Sequence, residues 1–337
     1  MSAVMKGKSL ETDVALKAAA DYLGTGAIEV PIFEREILDM VRRRSIALAR
    51  IEHVPATGHP HRYFEQLAIA QAASVDPRNI SNTASGPTRV ERPVFIKAET
   101  AQSNLSLFDK DVTEQQGQFQ SVVAKDIDDV LNAITVWRAT MLWAGTDTSL
   151  VYPTTLQWCG GLTQITQQFT IALGSSIVDG LKTAVANMVA NANFVVRPTA
   201  IYANPLLLDY LDQEVKASRI TLDSVEVVAG VSVAAISTQV GKLPLIGDVY
   251  MPTTAVSTAA YGFSATPSNA KGYYAAILME EEIEIPVISG KDFTPQARLF
   301  QLGLTGNLAG QFVGVSFDAV VFKGASYAQA VVQVQRP

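Results

Sequence analysis

The side chains best suited to nucleophilic or transition-metal chemistry are few: one cysteine, Cys159, and three histidines, His53, His59 and His61. Cys159 stands in Leu156-Gln157-Trp158-Cys159-Gly160-Gly161. A thiolate nucleophile needs a base within hydrogen-bond reach, and here the only imidazoles lie some hundred residues upstream. A Cys-dependent hydrolase would have to assemble a composite site across that distance; a buried thiol needs no partner. His59 and His61 share one face of a strand, as a metal pair would. No Cys, Asp or Glu cluster accompanies them, Pro60 stiffens the spacing, and such a site normally takes three or four ligands. Glu280-Glu281-Glu282-Ile283-Glu284 could hold a hard cation, but on a strand these side chains alternate between faces, which suits a solvated or salt-bridging edge. Phosphate cradles are missing too. Gly24-Thr25-Gly26 lacks a third glycine, and Gly241-Lys242 is followed by Leu243 rather than Ser or Thr. The sequence contains no G-x-S-x-G, H-E-x-x-H or EF-hand loop. No catalytic residue, metal or cofactor is expected.

Composition narrows the class further. Of 337 residues 48% are apolar and only 17% charged, against roughly 25% charged in an average soluble protein. Burial between subunits would cover the surplus apolar surface, so an obligate oligomer is expected. The net charge is −6, whereas nucleic-acid affinity comes from clustered cations that release counterions. The one basic cluster, Arg42-Arg43-Arg44, follows Glu34, Glu36 and Asp39, an arrangement that matches the macrodipole of a helix over 33–50. DNA is therefore expected only as a non-specific partner. There is no apolar run of 18 residues to span a membrane. MSAVMKGKSLETD is not a signal peptide, and one cysteine forms no intrachain disulfide. Synthesis in a cytoplasm follows as an expectation.

The elements that would position these groups are uneven along the chain. Residues 9–23, capped by Ser9, and Phe33 to Arg50 read as helices separated by the hinge at Gly24-Thr25-Gly26. From Pro55 to about Gln118 periodicity fades, apart from strand-like pieces at 62–70 and 89–98. A sixty-residue internal loop is far outside the usual range. Yet Tyr63, Phe64, Leu67, Ile69, Val94, Phe95 and Ile96 are costly to leave in water. The segment reads as a two-stranded extension that packs on another subunit through Tyr63, Phe64, Leu67, Val94, Phe95 and Ile96. The spacing predicts a long helix over 121–144, ended by Gly145, with Val123, Ile127, Val130, Ile134, Trp137 and Met141 as its apolar stripe. Further helices are predicted at about 175–192 and after Asn204-Pro205, a cap followed by a pre-organised first position. Strands are predicted at 224–229, 231–237, 243–250, 272–288, 297–304, 311–323 and 326–335. Helices first and antiparallel strands later make an α+β fold.

This order resembles the major capsid proteins of tailed phages, with the Hong Kong 97-like fold. The matching pieces are an N-terminal arm at 1–54, an extended β-hairpin loop at 55–118 and a spine helix within 119–145. An axial domain at 146–265 and returning peripheral-domain strands at 266–337 complete it. NFVVRPTAIYANPLLLDYL (193–211) and LPLIGDVYMP (243–252) are similar to axial-domain segments; GYYAAILMEEEIEIPVISGKDFTPQARLFQLGLTG (272–306) and QFVGVSFDAVVFKG (311–324) to the returning strands. The resemblance implies a structural protein, not an enzyme. Its partners would be itself, in hexamers and pentamers, and other virion proteins such as a portal and decoration or scaffold proteins. It would be located in the virion capsid, assembled in the host bacterial cytoplasm. A scaffolding segment removed by a protease is not expected ahead of this sequence. Some relatives cross-link a loop lysine to a neighbour's asparagine; Lys97 and Asn307 would be the pair here, or else two ordinary surface residues. An encapsulin-type nanocompartment shell is the alternative within the fold, and a soluble Cys-dependent hydrolase the alternative outside it.

Overall fold

The computed structural model describes residues 45–56, 58–72, 74, 76–78, 86–106, 115, 122–147, 157–191, 193–218, 222–228, 231–288, 296–300 and 309–337. The expected helix at 9–23, the hinge, Arg42-Arg43-Arg44 and Asn307 lie outside them. Ser45 is extended (φ −106°, ψ 134°) and its hydroxyl accepts the Leu48 N–H, opening helix α1, Ile46–Arg50. A helix running unbroken from Phe33 to Arg50 is therefore overturned at Ser45, because a residue that caps the next turn cannot itself be helical.

Strand β1 (Glu52–Pro55) follows, then β2 (His61–Ala68), β3 (Thr88–Val94) and β4 (Lys97–Ser106). The long helix α2 spans Val122–Ala144, and α3 (Gly161–Gln164), β5 (Gln168–Ile171), α4 (Ile177–Val189), β6 (Ala200–Ala203) and α5 (Pro205–Ser218) come next. After them lie β7 (Asp223–Val228), β8 (Val231–Thr238), β9 (Gly241–Gly247), β10 (Thr253–Thr254) and β11 (Lys271–Leu278). A 3₁₀ turn at Glu280–Glu282 separates β11 from β12 (Ile283–Val287); β13 (Gln296–Phe300), β14 (Ala309–Asp318), β15 (Val321–Phe322) and β16 (Ala330–Arg336) complete the order. The turn corrects the sequence reading of 272–288 as one strand.

Two main sheets organise these strands. One orders β5-β16-β11-β6-β9-β8-β7, with β10 beside β11. The other runs β1-β12-β14-β13, with β4 on β14 and β15 on β12. Residues 52–55 and 97–106, read from sequence as arm and extended loop, are thus strands of the second sheet. Parallel β1 pairs Glu52 with Glu284, and antiparallel β4 pairs Lys97 with Asp318. Ala47, Leu48 and Ile51 are likewise buried in the subunit's own core.

The strand β11 joins two cores. Its Tyr274, Ala276 and Leu278 face a cluster built on α1, the end of α2, Trp143, Trp158 and Phe322. Its Tyr273, Ala275 and Ile277 face a second, with Leu181, Val185 and Met188 of α4 and Leu207 and Leu211 of α5. Successive strand residues point to opposite faces, so a strand covered on both sides must be apolar throughout. That is why the string reads GYYAAIL.

The helix α2 is 23 residues, about 34 Å of rod. Val130, Ile134 and Met141 of the expected stripe are buried, but Trp137 is 42% exposed and Arg138 is 3% exposed in its place. Positions 137 and 138 lie three and four residues after Ile134, both on the same face of a helix, so periodicity alone does not separate them. The helix lies so close to β14 that a Cβ on Gly314 would sit 2.7 Å from Val130 Cγ1 and 2.9 Å from Ile134 Cδ1. Gly314→Val is expected to lower stability by about 1–3 kcal/mol by overpacking this seam, read as a fall in the urea midpoint. Gly86→Ala, with nothing within 4 Å of its Cβ, is the control and should leave the midpoint unchanged.

Candidate functional site

The hairpin β2–β3 pairs His61 with Val94 through Ala68 with Thr88, with a bulge between Gln66 and Ala68, and forms a sheet of its own. Its period-2 pattern gives it two different faces. The inner face is bolted to the subunit. His61 Nε2 lies 3.2 Å from Glu284 Oε1, and Lys323 Nζ donates to Glu284 Oε2 at 2.7 Å. Lys323 also sits 5.9 Å above the Tyr63 ring. Glu65 accepts the Gly324 N–H at 2.9 Å and Arg92 Nε at 3.2 Å. Burial, with Glu65 beside it, holds the Tyr63 hydroxyl well above its ordinary value. The outer face carries Phe64, 72% exposed, and Ile69 just past β2 is 76% exposed.

The six apolar residues singled out from sequence divide accordingly. Tyr63, Val94 and Phe95 line a cleft of about 610 Å³ between the hairpin base and the body, opposite Trp158 and Phe322. Leu67 and Ile96 are half-buried, and Phe64 faces outward. Sequence reasoning placed Ile69 in the segment but not among the candidate contacts; its large β-branched side chain between Ala68 and Ala70 was the available signal.

Cys159 lies in the wall of that cleft, beside the ion pair of Lys97 Nζ with Asp147 Oδ2 at 2.6 Å. Burial pushes its thiol up, the reverse of what an attacking thiolate requires, and none of the residues lining the cleft is a histidine. The histidines are separately engaged. His59 Nδ1 accepts the Ile96 N–H at 3.3 Å, and its ring stands edge-on to Phe95 at 5.3 Å. His61 meets Glu284, while burial and the nearby Arg138 hold His53 below its ordinary value. Among the described residues no group of three or more His, Cys, Asp or Glu is placed to hold a metal ion. Lys97 is no ordinary surface residue either: its side chain is 10% exposed and its ion-pair partner fully buried.

The glutamate run serves as a clamp rather than a cation site. Glu280 accepts Arg50 Nε at 2.7 Å and Arg50 Nη2 at 2.8 Å, the Thr199 hydroxyl at 3.1 Å and the Tyr202 hydroxyl. The arginine, first among its partners, holds its carboxyl below the ordinary range against the opposing effect of burial.

A buried polar network, missed from sequence, anchors the strand that leads out of the hairpin. Asp318, fully buried, accepts from Arg138 Nη2, from Ser316 Oγ at 2.5 Å and from Trp158 Nε1 at 3.1 Å. Glu99, across from Ser316 in register, lies 3.5 Å from Arg138 Nε. A second hub, Asp248, takes Ser45 Oγ at 2.8 Å and Trp143 Nε1 at 3.1 Å. The signal was the indoles: a buried Trp N–H needs an acceptor, but sequence does not say which distant carboxylate supplies it.

No protein-family model and no curated protein sequence matches this chain. Solved structures do. The head structure of Helicobacter pylori bacteriophage KHP40 aligns with TM-score 0.61 at 10% identity, covering 92% of this chain and 95% of that one. A structure from Mycobacterium phage Bobi aligns with TM-score 0.59 at 13% identity, covering 92% and 96%. The holo-SrpI encapsulin complex from Synechococcus elongatus aligns with TM-score 0.55 at 12% identity, covering 94% of each chain. Helix α2 against β4 and β14, a projecting hairpin, and a second sheet flanked by α4 and α5 are therefore an α+β architecture shared along nearly the whole length, and the chain has the Hong Kong 97-like fold.

Proposed function

We propose that the chain is the major capsid protein of a tailed bacteriophage, which assembles with copies of itself into the icosahedral shell around double-stranded DNA. The observation that carries this reading is a hairpin whose base is anchored to its own subunit while Phe64 and Ile69 stand uncovered. Exposed large apolar groups on a projecting element mark a protein-contact surface. In this reading copies meet as hexamers and pentamers through the axial part, placed at 146–265. The arm and hairpin reach neighbours, and other virion proteins such as a portal join the shell, with assembly in the host cytoplasm. The net charge of −6 suits a wall along which DNA slides. The chain is taken to act mechanically and not as an enzyme, since the Cys159 thiol is held protonated and the cleft it lines contains no histidine.

An encapsulin-type compartment is the second reading, because the encapsulin chain also aligns over 94% of its length. Negative-stain imaging of the purified protein, followed by assay of the particle contents, separates them. Closed particles containing DNA support the phage reading, closed particles with a protein cargo the compartment, and a monodisperse monomer at micromolar concentration overturns both. The double variant Phe64→Ser, Ile69→Ser is expected to melt like wild type, because both side chains are already in water. Each buried apolar side chain contributes about 1.5–3 kcal/mol, so the threshold concentration for assembly should rise by at least about tenfold. Light scattering across a dilution series reads it.

A further inference from the structure

The network beneath the hairpin strand holds one acid more than it can pair. Glu99 and Asp318 are 6% and 0% exposed, and the single guanidinium between them, Arg138, is 3% exposed. Arg138 turns Nη2 to Asp318, which also takes Ser316 and Trp158. Neither oxygen of Glu99 receives a hydrogen bond, and Arg138 Nε, the nearest cation, is 3.5 Å away and donates none. A buried carboxylate with no donor is among the costliest groups a fold can hold, and two acids around one cation do not both ionise readily. Of the charged groups beside it, Asp318 adds to the burden on this acid and Arg138 opposes it. From α2 comes Arg138, from β14 Asp318, and from β1 His53, itself held neutral by burial. Two residues along β4 Lys97 is already paired with Asp147.

We propose that Glu99 is a proton-operated latch between helix α2 and strand β4: neutral, it lets β4 seat and the hairpin base stay docked; ionised, it loosens both. Burial, with Asp318 beside it, pushes the Glu99 carboxyl up to about 9 from an ordinary 4.5. Across that window the native state keeps a proton that the unfolded chain has released, so stability falls as pH rises. His53 contributes the opposite slope, a loss of stability as pH falls below its ordinary 6.5. The two are separated by working from pH 7 to pH 9.

The test compares wild type with Glu99→Gln, whose amide mimics the neutral acid. Wild type should lose urea midpoint steadily from pH 7 to 9, and tryptic cleavage at Arg62 and Arg89, measured relative to an unstructured peptide at each pH, should accelerate over the same range. The Gln variant should lose most of both trends. Equal slopes in the two proteins overturn the proposal. A second readout does not depend on the variant folding. Wild type at pH 7 should show an infrared band of a protonated carboxyl that shrinks toward pH 9; a spectrum with ionised carboxylates only overturns the latch. Both measurements use the folded subunit whatever it assembles into, so their failure leaves the shell reading untouched, and failure to form particles leaves the latch untouched.

Discussion

On the shell reading, replacing residues 66–88 with a short Gly-Ser linker is expected to leave a folded subunit that no longer closes into shells. The replacement keeps His61, Tyr63, Glu65, Arg92 and Val94, which dock the hairpin base on Glu284, Lys323 and Gly324. It also keeps β4, which pairs with β14 over ten residues. The helical circular dichroism bands and the urea midpoint should therefore stay near wild type. The distal hairpin, with Ile69, is what the variant lacks. Ordering an extended segment costs about 1–2 kcal/mol per residue fixed, so a single contact yields a modest net gain and the shell depends on many copies together. Aggregation of an unfolded variant would assign the distal segment to the subunit's own core. Normal particles would show that the lattice contact lies elsewhere.

Loss of the Asp318 charge should be the most damaging single change inside the subunit. Asp318 is the common acceptor for a guanidinium, a hydroxyl and an indole, all buried. Removing one partner of a buried ion pair costs about 3–5 kcal/mol, because the charge left behind remains desolvated. Asp318→Asn is expected to fall in that range, read from the urea midpoint at a concentration too low for assembly. Glu99 softens the loss, since it can ionise and take over Arg138. The double variant Asp318→Asn, Glu99→Gln should therefore be less stable than the sum of the two single changes. Additivity would mean that the two acids do not share the arginine.

What sequence reasoning could see was local. The helix stop at Gly145, the Asn204-Pro205 start and the strand at 62–70 follow from caps, propensities and alternation, and the observed elements agree to within a few residues, whereas the piece at 89–98 is divided between β3 and β4. The break at Glu280–Glu282 was hidden because three glutamates between apolar runs read equally well as a strand edge. Trp137 was assigned to the buried face of α2, where Arg138 stands instead. Hydrophobicity favours burying the indole, and only the distant Asp318 makes burying the guanidinium tolerable. The site was half legible for the same reason. The apolar content of the hairpin suggested the proposed contact surface, but which face is free depends on Glu284, Lys323 and Gly324, more than two hundred residues away. Pairings such as β1 with β12 and β4 with β14 leave no periodic trace.

Those distant anchors impose an order in time. A ribosome that has made the chain through Leu278 has already produced Tyr63, Phe64 and Ile69. It has not yet made Glu284, Lys323 or Gly324, nor the strand β14 that holds β4. Until then the hairpin has nothing of its own to dock on, and the neighbouring acids have no sheet to close around. Non-local pairing of this kind forms late and slowly. A seated hairpin, and on the shell reading the competence to join neighbours, thus arrives only when translation of the returning strands is complete. A prematurely terminated chain lacks a seated hairpin, so on that reading it would be poorly suited to enter a lattice in which one faulty copy spoils its neighbours.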